Sequence, residues 1–595
     1  MPDIMLKKSS WILIFISLQF GICSCNKDTS SSDGSDFNRK INFDPVKKLS
    51  FQPNIVWLVA EDLSPILPPF GDSTVSMPNL DRLAREGVRY TNVYSPSGVC
   101  APSRCALATG MYPSSIGGHN MRVQYVKSHM DQLGLILYEV VPPPEVKMMS
   151  QVLRENGYYC TNNDKTDYQF QHPITAWDES GLKAHWRNRP KDKRFFSIFN
   201  FGVTHEGHVT RPYRKQLMRY HDPDFPNSIS NISAFGEMIN EEEWELNIPK
   251  DLEVPIPPYL PETEIAERDV RRVYSNIVEL DRQIGIIIKQ LEEDGLLDST
   301  IVVFYGDHGG PLPRQKRLIY DSGIKVPLII RYPNRHGAGT YDDQLISFID
   351  FAPTTFSVAN IEIPTYIQGQ AFLGKYKSRK PRKYIHAAAD RLDAQVDMIR
   401  AVRDKRYKYL RNFNPDQPYY LPVKYREQMA IMQELLRLHE KDSLNEYQTQ
   451  WFRESKPEEE LFDTWDDPNE LYNLAHDPTY NDKLFELRRE CDRWMKEIDD
   501  MGLIPEKEIL ESFWPDRKQP VTESPEYNIK NGKVTLISNT PGASIGYQLL
   551  NDNQDPQESW EVYLAPISIR EDITIVAIAH RLGYKPSDPV KFGFK

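Results

Sequence analysis

The stretch "SPSGVCAPSRCALATGMYPSS", residues 95–115, places Cys100, Pro102, Ser103 and Arg104 within five positions, with Cys105 following directly. A disulfide, a metal knuckle and a modified catalytic residue each explain such crowding. Two further places carry ligand-type side chains. "NIVWLVAED" closes on Glu61 and Asp62, and "STIVVFYGDHGG" presents Asp307 and His308 ahead of two glycines. Three carboxylates brought into one volume repel one another unless a cation neutralises them. An oxygen-rich donor set of this kind suits a hard ion, Ca²⁺ first and Mg²⁺ second. Either acidic pair alone would read as the cap of a strand or helix. The same design written twice points to a metal.

The elements that must hold these groups are strands. Residues 54–62 and 299–310 are continuous apolar runs with polar residues only at the carboxyl end, as in a buried parallel strand. Open α/β sheets bind ligands beyond those ends, so Glu61, Asp62, Asp307 and His308 converge if the two strands are neighbours. "FFSIFNFGVTH", residues 195–205, is a third such strand ending in His205, and "VPLIIRYP" a fourth that follows the basic loop "PRQKRLIYDSGIK". Between them Val270, Val273, Tyr274, Ile277, Leu280, Ile284, Ile287, Ile288 and Leu291 recur at helical spacing, with Gly295 as a C-cap. That stripe is core. The alternation predicts an α/β fold with a central, mostly parallel sheet sandwiched by helices.

Composition bounds the rest. A 595-residue chain exceeds one ordinary core, and 40% hydrophobic residues suffice to fold it. The net charge of -12 offers no basic footprint for nucleic acid. Residues 1–25 read as a signal segment: "MLKKSS" is basic, "WILIFISLQFGI" apolar but too short to span a bilayer, and "ICSC" resembles a lipobox ending at Cys25. This predicts an exported periplasmic or outer-membrane/cell-surface lipoprotein, touching the membrane only through a lipid on Cys25, with a plain secretory signal as the alternative. The Ser/Asp-rich segment that follows predicts a flexible tether over 26–49. Cys100, Cys105, Cys160 and Cys491 remain, too few for a disulfide framework, although a Cys100–Cys105 bridge is geometrically open. A catalytic domain is expected over 50–372 and a smaller α+β subdomain over 373–512, within which Arg391 and Asp393 read as surface polar residues before residues that reach the substrate mouth. Short alternating strands over 513–595 predict an accessory β-sandwich module that buttresses the catalytic domain, with carbohydrate binding by the module as the minority alternative.

The block Cys100-Ala101-Pro102-Ser103-Arg104, followed by Thr109-Gly110, resembles the signature of type I sulfatases of the alkaline-phosphatase-like superfamily. "NIVWLVAEDLSP", "MPNLDRLAREGVRYTNVYSPSGVCAPSR", "YGDHGG" and "ELFDTWDDPNELYNLAHDP" resemble other segments of that family in the same order, and the resemblance spans about residues 50–505. It implies that a sulfatase-maturating enzyme converts Cys100 to Cα-formylglycine. The hydrate of that aldehyde has two hydroxyls on one carbon, one to attack sulfur and one whose deprotonation expels sulfate. It implies one divalent cation on Glu61, Asp62, Asp307, His308 and the side chain at position 100. It further implies that Arg104 holds the nucleophile, that Lys165 and Lys316 clamp sulfate oxygens, and that His205 protonates the leaving group. Two residues depart from the family pattern. Glu61 stands where an aspartate is usual, and Asp167, in Lys165-Thr166-Asp167, stands where a histidine is usual.

The expected activity is hydrolysis of sulfate esters, or N-sulfates, of a sulfated carbohydrate. "YYCTNNDKTDYQF" and "VTHEGH" are similar to bacterial heparan N-sulfatase-like sequences. A formylglycine-dependent phosphodiesterase or phosphonate hydrolase shares the motif and is the first alternative. A catalytically inactive glycan-binding lipoprotein is the second, and it would have lost some of the residues named above.

Overall fold

The computed structural model describes residues 39–121, 127–211, 246–392, 394–551, 554, 555, 557, 559–570 and 573–593. The signal segment with Cys25, most of the expected tether, and Asp393 lie outside the described residues. The central sheet has nine strands: β1 (Arg39–Lys40), β2 (Asn54–Ala60), β3 (Val88–Tyr94), β4 (Tyr159–Asn163), β5 (Glu179–Ser180), β6 (Phe195–Phe201), β7 (Thr300–Gly306), β8 (Lys325–Arg331) and β9 (Thr340–Ser347). They lie in the order β1-β9-β3-β8-β7-β2-β6-β4-β5. The tether expectation needs correcting at its end. β1 pairs with β9, and Asp44 accepts the Gly374 amide at 2.9 Å, so the chain is already part of the fold from Arg39.

Both faces of the sheet are covered, which is why its strands read as unbroken apolar runs. Along β2, Val56, Leu58 and Ala60 join the core formed with the helix Glu264–Glu293, while Ile55, Trp57 and Val59 join the core on the other face. The nine stripe residues of that helix are all buried, and Gly295 follows its C-cap with φ 66°. Only β8 runs against its neighbours β3 and β7. No crossover helix separates it from β7, so the chain must return from the edge at which β7 ends. The connection, residues 307–324, therefore stays at the carboxyl edge of the sheet. It carries Asp307, His308, Lys316 and Arg317.

A second, antiparallel sheet contains β10 (Ile385–Ala389), β11 (Ile399–Arg403), β12 (Tyr407–Asn412) and β13 (Glu459–Asp463), and packs on the helix Asn481–Glu497 through Val402, Tyr409, Leu487 and Trp494. The C-terminal segment forms two further sheets. One contains β14 (Glu526–Lys530), β15 (Lys533–Ile537) and β18 (Ile567–Ser568), the other β16 (Ser544–Asn551), β17 (Glu561–Val562), β19 (Ile573–His580) and β20 (Val590–Gly593). Val534 and Leu536 from the first share one core with Ile545, Ile575, Ala577 and Phe592 from the second, which makes the segment a sandwich. It is pressed against the catalytic domain. A Cβ on Gly583, where φ is +79°, would meet the Val140 carbonyl oxygen at 2.3 Å, so only glycine fits.

Candidate active site

Four adjacent strands of the sheet, β7, β2, β6 and β4, deliver the polar residues to one edge. Ala60 lies level with Gly306 on one side and Phe201 on the other, so Glu61-Asp62, Asp307-His308 and the turn to His205 emerge together. The strand ends are tied across: Asp307 N donates to Ala60 O at 2.9 Å, and Leu63 N to His308 O at 3.1 Å. Asp62 has φ 49°, in the left-handed region that aspartate tolerates better than most residues. Its amide donates to Asp307 Oδ1 at 3.0 Å, which fixes the Asp307 carboxylate against the end of β2.

The nucleophile loop comes from β3, which follows α1 (Pro78–Glu86) and runs in the same direction as β7. Its last turn leads into α2 (Cys100–Thr109), with Cys100 as the first helical residue. The motif residues then explain themselves. Pro102 sits in the first turn, where a missing N–H breaks no helical bond. Ser103 Oγ donates to the Asp307 carbonyl oxygen and accepts from Ser95 Oγ at 2.9 Å. Thr109 Oγ1 donates to Cys105 O at 2.8 Å, and Gly110, with φ 69°, caps the helix. Gly98 lets the loop that carries Lys316 approach, because a Cβ there would meet Leu318 O at 2.2 Å. Cys100, Cys105, Cys160 and Cys491 are all free thiols, so the 100–105 bridge is not formed.

Around Cys100 the charged groups interleave. Its Sγ lies 3.3 Å from His308 Nε2 and 3.9 Å from Asp62 Oδ1. Lys316 Nζ donates to both Asp62 oxygens at 2.9 and 2.8 Å, and Lys165 Nζ to Glu61 Oε2 at 2.8 Å. Arg104 Nε donates to Asp307 Oδ2 at 3.1 Å, and its Nη1 to Asn200 Oδ1 at 2.6 Å. All of the expected site residues thus come together: Glu61, Asp62, Cys100, Arg104, Lys165, His205, Asp307, His308 and Lys316. Their ligand atoms form two groups that share Cys100, namely Glu61-Asp62-Cys100-His205 and Cys100-Asp307-His308, each within 4.8 Å. Three carboxylates and an imidazole around one side chain form a donor set that fits a hard divalent cation.

The electrostatics are those of an anion cluster that recruits positive charge. Burial opposes ionisation of Asp62, yet Lys316, with His205 and His308, holds its carboxyl well below the usual range. Burial would likewise depress His308, but Asp307, Cys100 and Asp62 push it up to about 10. Burial alone would raise the Cys100 thiol, whereas Lys165 and Lys316 outweigh it and bring it down to about 6. Cys160 is pushed well above the usual thiol range by burial, and Cys491 up to about 12. In unmodified, chelator-treated protein, alkylation at Cys100 should therefore follow a titration centred near pH 6 and be close to its plateau at neutral pH. A rate that still climbs steeply above pH 8, as for an ordinary thiol, would contradict this field.

His205 sits at the open side of the cluster, with 26% of its side chain exposed, as Lys165 does with 22%. Its Nδ1 accepts the Gly207 amide at 3.1 Å, which assigns the proton to Nε2 in the neutral ring. Nε2 faces inward, 3.3 Å from Lys316 Nζ and 3.9 Å from Glu61 Oε2. Asp167, with φ 44°, contributes to the field that keeps Lys165 protonated, after Cys100 and Glu61. Arg391 differs from its reading as a surface residue: it is buried and donates to Glu506 at 2.6 and 2.8 Å.

Three residues of the site were not anticipated. Asn200 receives Arg104 and donates to Asn162 Oδ1 at 3.2 Å; a lone amide inside the apolar run "FFSIFNF" was its signal. Glu206 accepts Arg317 through both oxygens at 2.8 Å and Lys316 at 3.2 Å, while its own amide donates to Asp62 Oδ2 at 2.7 Å. Burial opposes the charge on Glu206, but Arg317 and Lys316 hold its carboxyl down at about 2. Nothing local in the sequence marks Glu206 or Arg317, because they meet only when the turn after β6 meets the loop after β7.

The sulfatase family profile matches residues 53–181 and 180–361, and the profile of the N-sulphoglucosamine sulphohydrolase C-terminal region matches 307–422. An ulvan-active sulfatase of Formosa agariphila is 51% identical over 591 residues, covering 97% of each chain. Human N-sulphoglucosamine sulphohydrolase is 23% identical over 79% of this chain and 95% of its own. A solved structure in complex with its substrate D-glucosamine-2-N,6-O-disulfate shares the fold, with a TM-score of 0.51 at 17% identity over 76% of this chain and 99% of that one.

Proposed function

Since the chain belongs to the sulfatase family and is a sulfuric ester hydrolase of sulfated glycans, we propose that its nucleophile is Cα-formylglycine at position 100. The observation that carries this is the placement of Cys100 at the start of α2, inside the ligand cluster and between Lys165 and Lys316. Its Sγ stands where the hydrate oxygens of the matured residue belong. Intact-peptide mass spectrometry of active enzyme should show the thiol at 100 replaced by an aldehyde or its hydrate. Full activity with an unmodified thiol would remove the proposal.

Glu61, Asp62, Asp307 and His308, with the side chain at 100, would hold one divalent cation, Ca²⁺ by the count of oxygen donors. When bound, that ion supplies Lewis-acid charge beside the nucleophile and the sulfate. The chain's own residues do the rest. Lys165 and Lys316 present ammonium groups from two sides of position 100 and bind sulfate oxygens. Arg104, held by Asp307 and Asn200, fixes the start of α2 and keeps positive charge behind the nucleophile. His205 directs its Nε2 proton into the mouth of the site, where an alcohol leaving group must be protonated.

A sugar alkoxide needs that proton and an activated phenolate hardly does. His205→Ala should therefore lose about 10²-fold or more on a sulfated sugar and far less on an aryl sulfate. Equal losses on the two substrates would make His205 a binding or structural residue.

The substrate proposed is an O-sulfated polymer of the ulvan type, supported by the relative that is 51% identical along nearly the whole chain. The match to the N-sulphoglucosamine sulphohydrolase region favours a second reading, an N-sulfated glucosamine. Desulfation of ulvan and of an N-sulfated glucosamine, measured side by side, distinguishes them. We further propose export as a lipoprotein anchored at Cys25, carried by the "ICSC" lipobox. Cys25→Ser should move the protein out of the membrane fraction, and an unchanged distribution would exclude the anchor.

A further inference from the structure

A groove of about 620 Å³ lies where the three parts of the chain meet, distinct from the catalytic cluster. Ser115, just past the carboxyl end of α2, lies on it, whereas Cys100 opens that helix at the other end. No residue of the catalytic cluster lines the groove. Pro142, Pro143, Pro515 and Pro520 make stiff walls, and the rings of Phe513 and Tyr584 line the groove between them.

The walls are preformed. Besides the close approach of Gly583 to Val140, Gly542 would clash with Pro144 O at 2.3 Å if it carried a Cβ, and Trp514 Nε1 donates to Gly583 O at 3.3 Å. Arg581 reaches into the groove from the sandwich. Its guanidinium lies 4.6 Å over the Tyr584 ring, Nη2 donates to Pro142 O at 3.4 Å, and its buried Nε has no partner.

Charge marks the kind of occupant. Arg517 and Lys518 lie on the exposed segment between Pro515 and Pro520, and Lys585 adjoins Tyr584. Among the described residues, none of Arg517, Lys518, Arg581 and Lys585 is in an ion pair. Of the residues that line the groove Arg581 is the one that is charged, and Glu511 and Asp516 share its rim. Glu511 accepts the Asp516 amide at 2.8 Å, and Asp500 beside Met501 is engaged by Arg400. Unpaired cations around a rigid, ring-lined groove stand out on a chain with a net charge of -12. Rings flanked by a few polar groups are the usual lining of a ligand site.

We propose that this groove binds a sulfated polysaccharide chain, away from the residue being desulfated, and so keeps the enzyme on its polymer. The proposal rests on the reading of the substrate as a sulfated polymer. The sugar faces pack on Phe513 and Tyr584, and the sulfates meet Arg581 and the cationic rim.

The test uses the full chain in the inert Cys100→Ala background, with ulvan as the probe. Lys518→Glu/Lys585→Glu changes two exposed side chains, so the fold should be kept, and Tyr584→Ala removes a ring. Each should weaken ulvan binding about tenfold, or ~1.4 kcal/mol. The binding itself should fall as salt is raised. With Cys100 restored, both variants should keep kcat/KM on a small aryl sulfate within about twofold of the parent while losing it on ulvan. Unchanged ulvan affinity, equal losses on the small and polymeric substrates, or binding to phosphatidylglycerol vesicles but not to ulvan would each overturn the groove as a glycan site. Groove-dependent ulvan binding by a protein that desulfates no sugar would leave the groove standing and remove the reading of the substrate. Desulfation of ulvan that is indifferent to the groove variants would do the reverse.

Discussion

Cys100→Ala protein should be folded and at least about 10⁴-fold less active on any sulfate ester, the scale of losing a covalent nucleophile. The side chain at 100 is small and packs at the head of α2, so its loss leaves no large cavity. Cys105 provides the control. It is buried one turn further along the helix, and a Cβ on Gly118 would lie 2.8 Å from its Sγ, which identifies it as a packing residue. Cys105→Ala should keep turnover and cost about 1 kcal/mol in stability. Thermal midpoints and sulfate release for both variants settle the contrast. An active Cys100→Ala protein, or an inert Cys105→Ala protein with its midpoint intact, would contradict the assignment.

Asp307→Asn and Asp307→Ala should both lose about 10³-fold in turnover, equivalent to several kcal/mol of charge stabilisation supplied through a metal. They should differ in stability. Asn keeps a single acceptor, which can serve Arg104 at the Oδ2 position only by facing an NH2 donor toward the Asp62 amide, now at 3.0 Å from Oδ1. Both variants take the carboxylate from the buried Arg104, and Ala leaves it no acceptor at 307 at all, a loss of about 3–5 kcal/mol in such settings. Metal content, unfolding midpoints and activity after chelation with Ca²⁺ or Mg²⁺ add-back check the pair. Full turnover of a metal-free parent would remove the proposed ion. Equal midpoints for the two variants would show that the acceptor an asparagine retains at 307 does nothing for Arg104.

The sequence by itself determined the reaction class and most of the scaffold. Apolar runs ending in Glu61-Asp62 and in Asp307-His308 are legible because a strand covered on both faces admits polar residues only at its ends. The stripe from Val270 to Leu291 is legible because one helix face must be buried. The Cys100–Arg104 block is legible because its residue types are unusual together, and the structure explains Pro102 and Ser103 as parts of the first turn and of its tie to β7.

Tertiary structure decided what depends on contacts between segments remote in the chain. Glu206 holds Arg317 and Lys316 only because the turn after β6 abuts the loop after β7, and neither segment carries a local mark of that meeting. The reversed direction of β8 follows from a connection that never leaves the sheet edge, which no periodicity reports. Arg391 reads as surface by type, yet Glu506 gives it a buried partner. The proton on His205 Nε2 is assigned by one backbone amide, that of Gly207. Hydrophobic period and residue type are properties of a single segment and can be read along it. Ion-pair partners, strand direction and tautomer are properties of two segments in contact, and they exist only once the chain has folded.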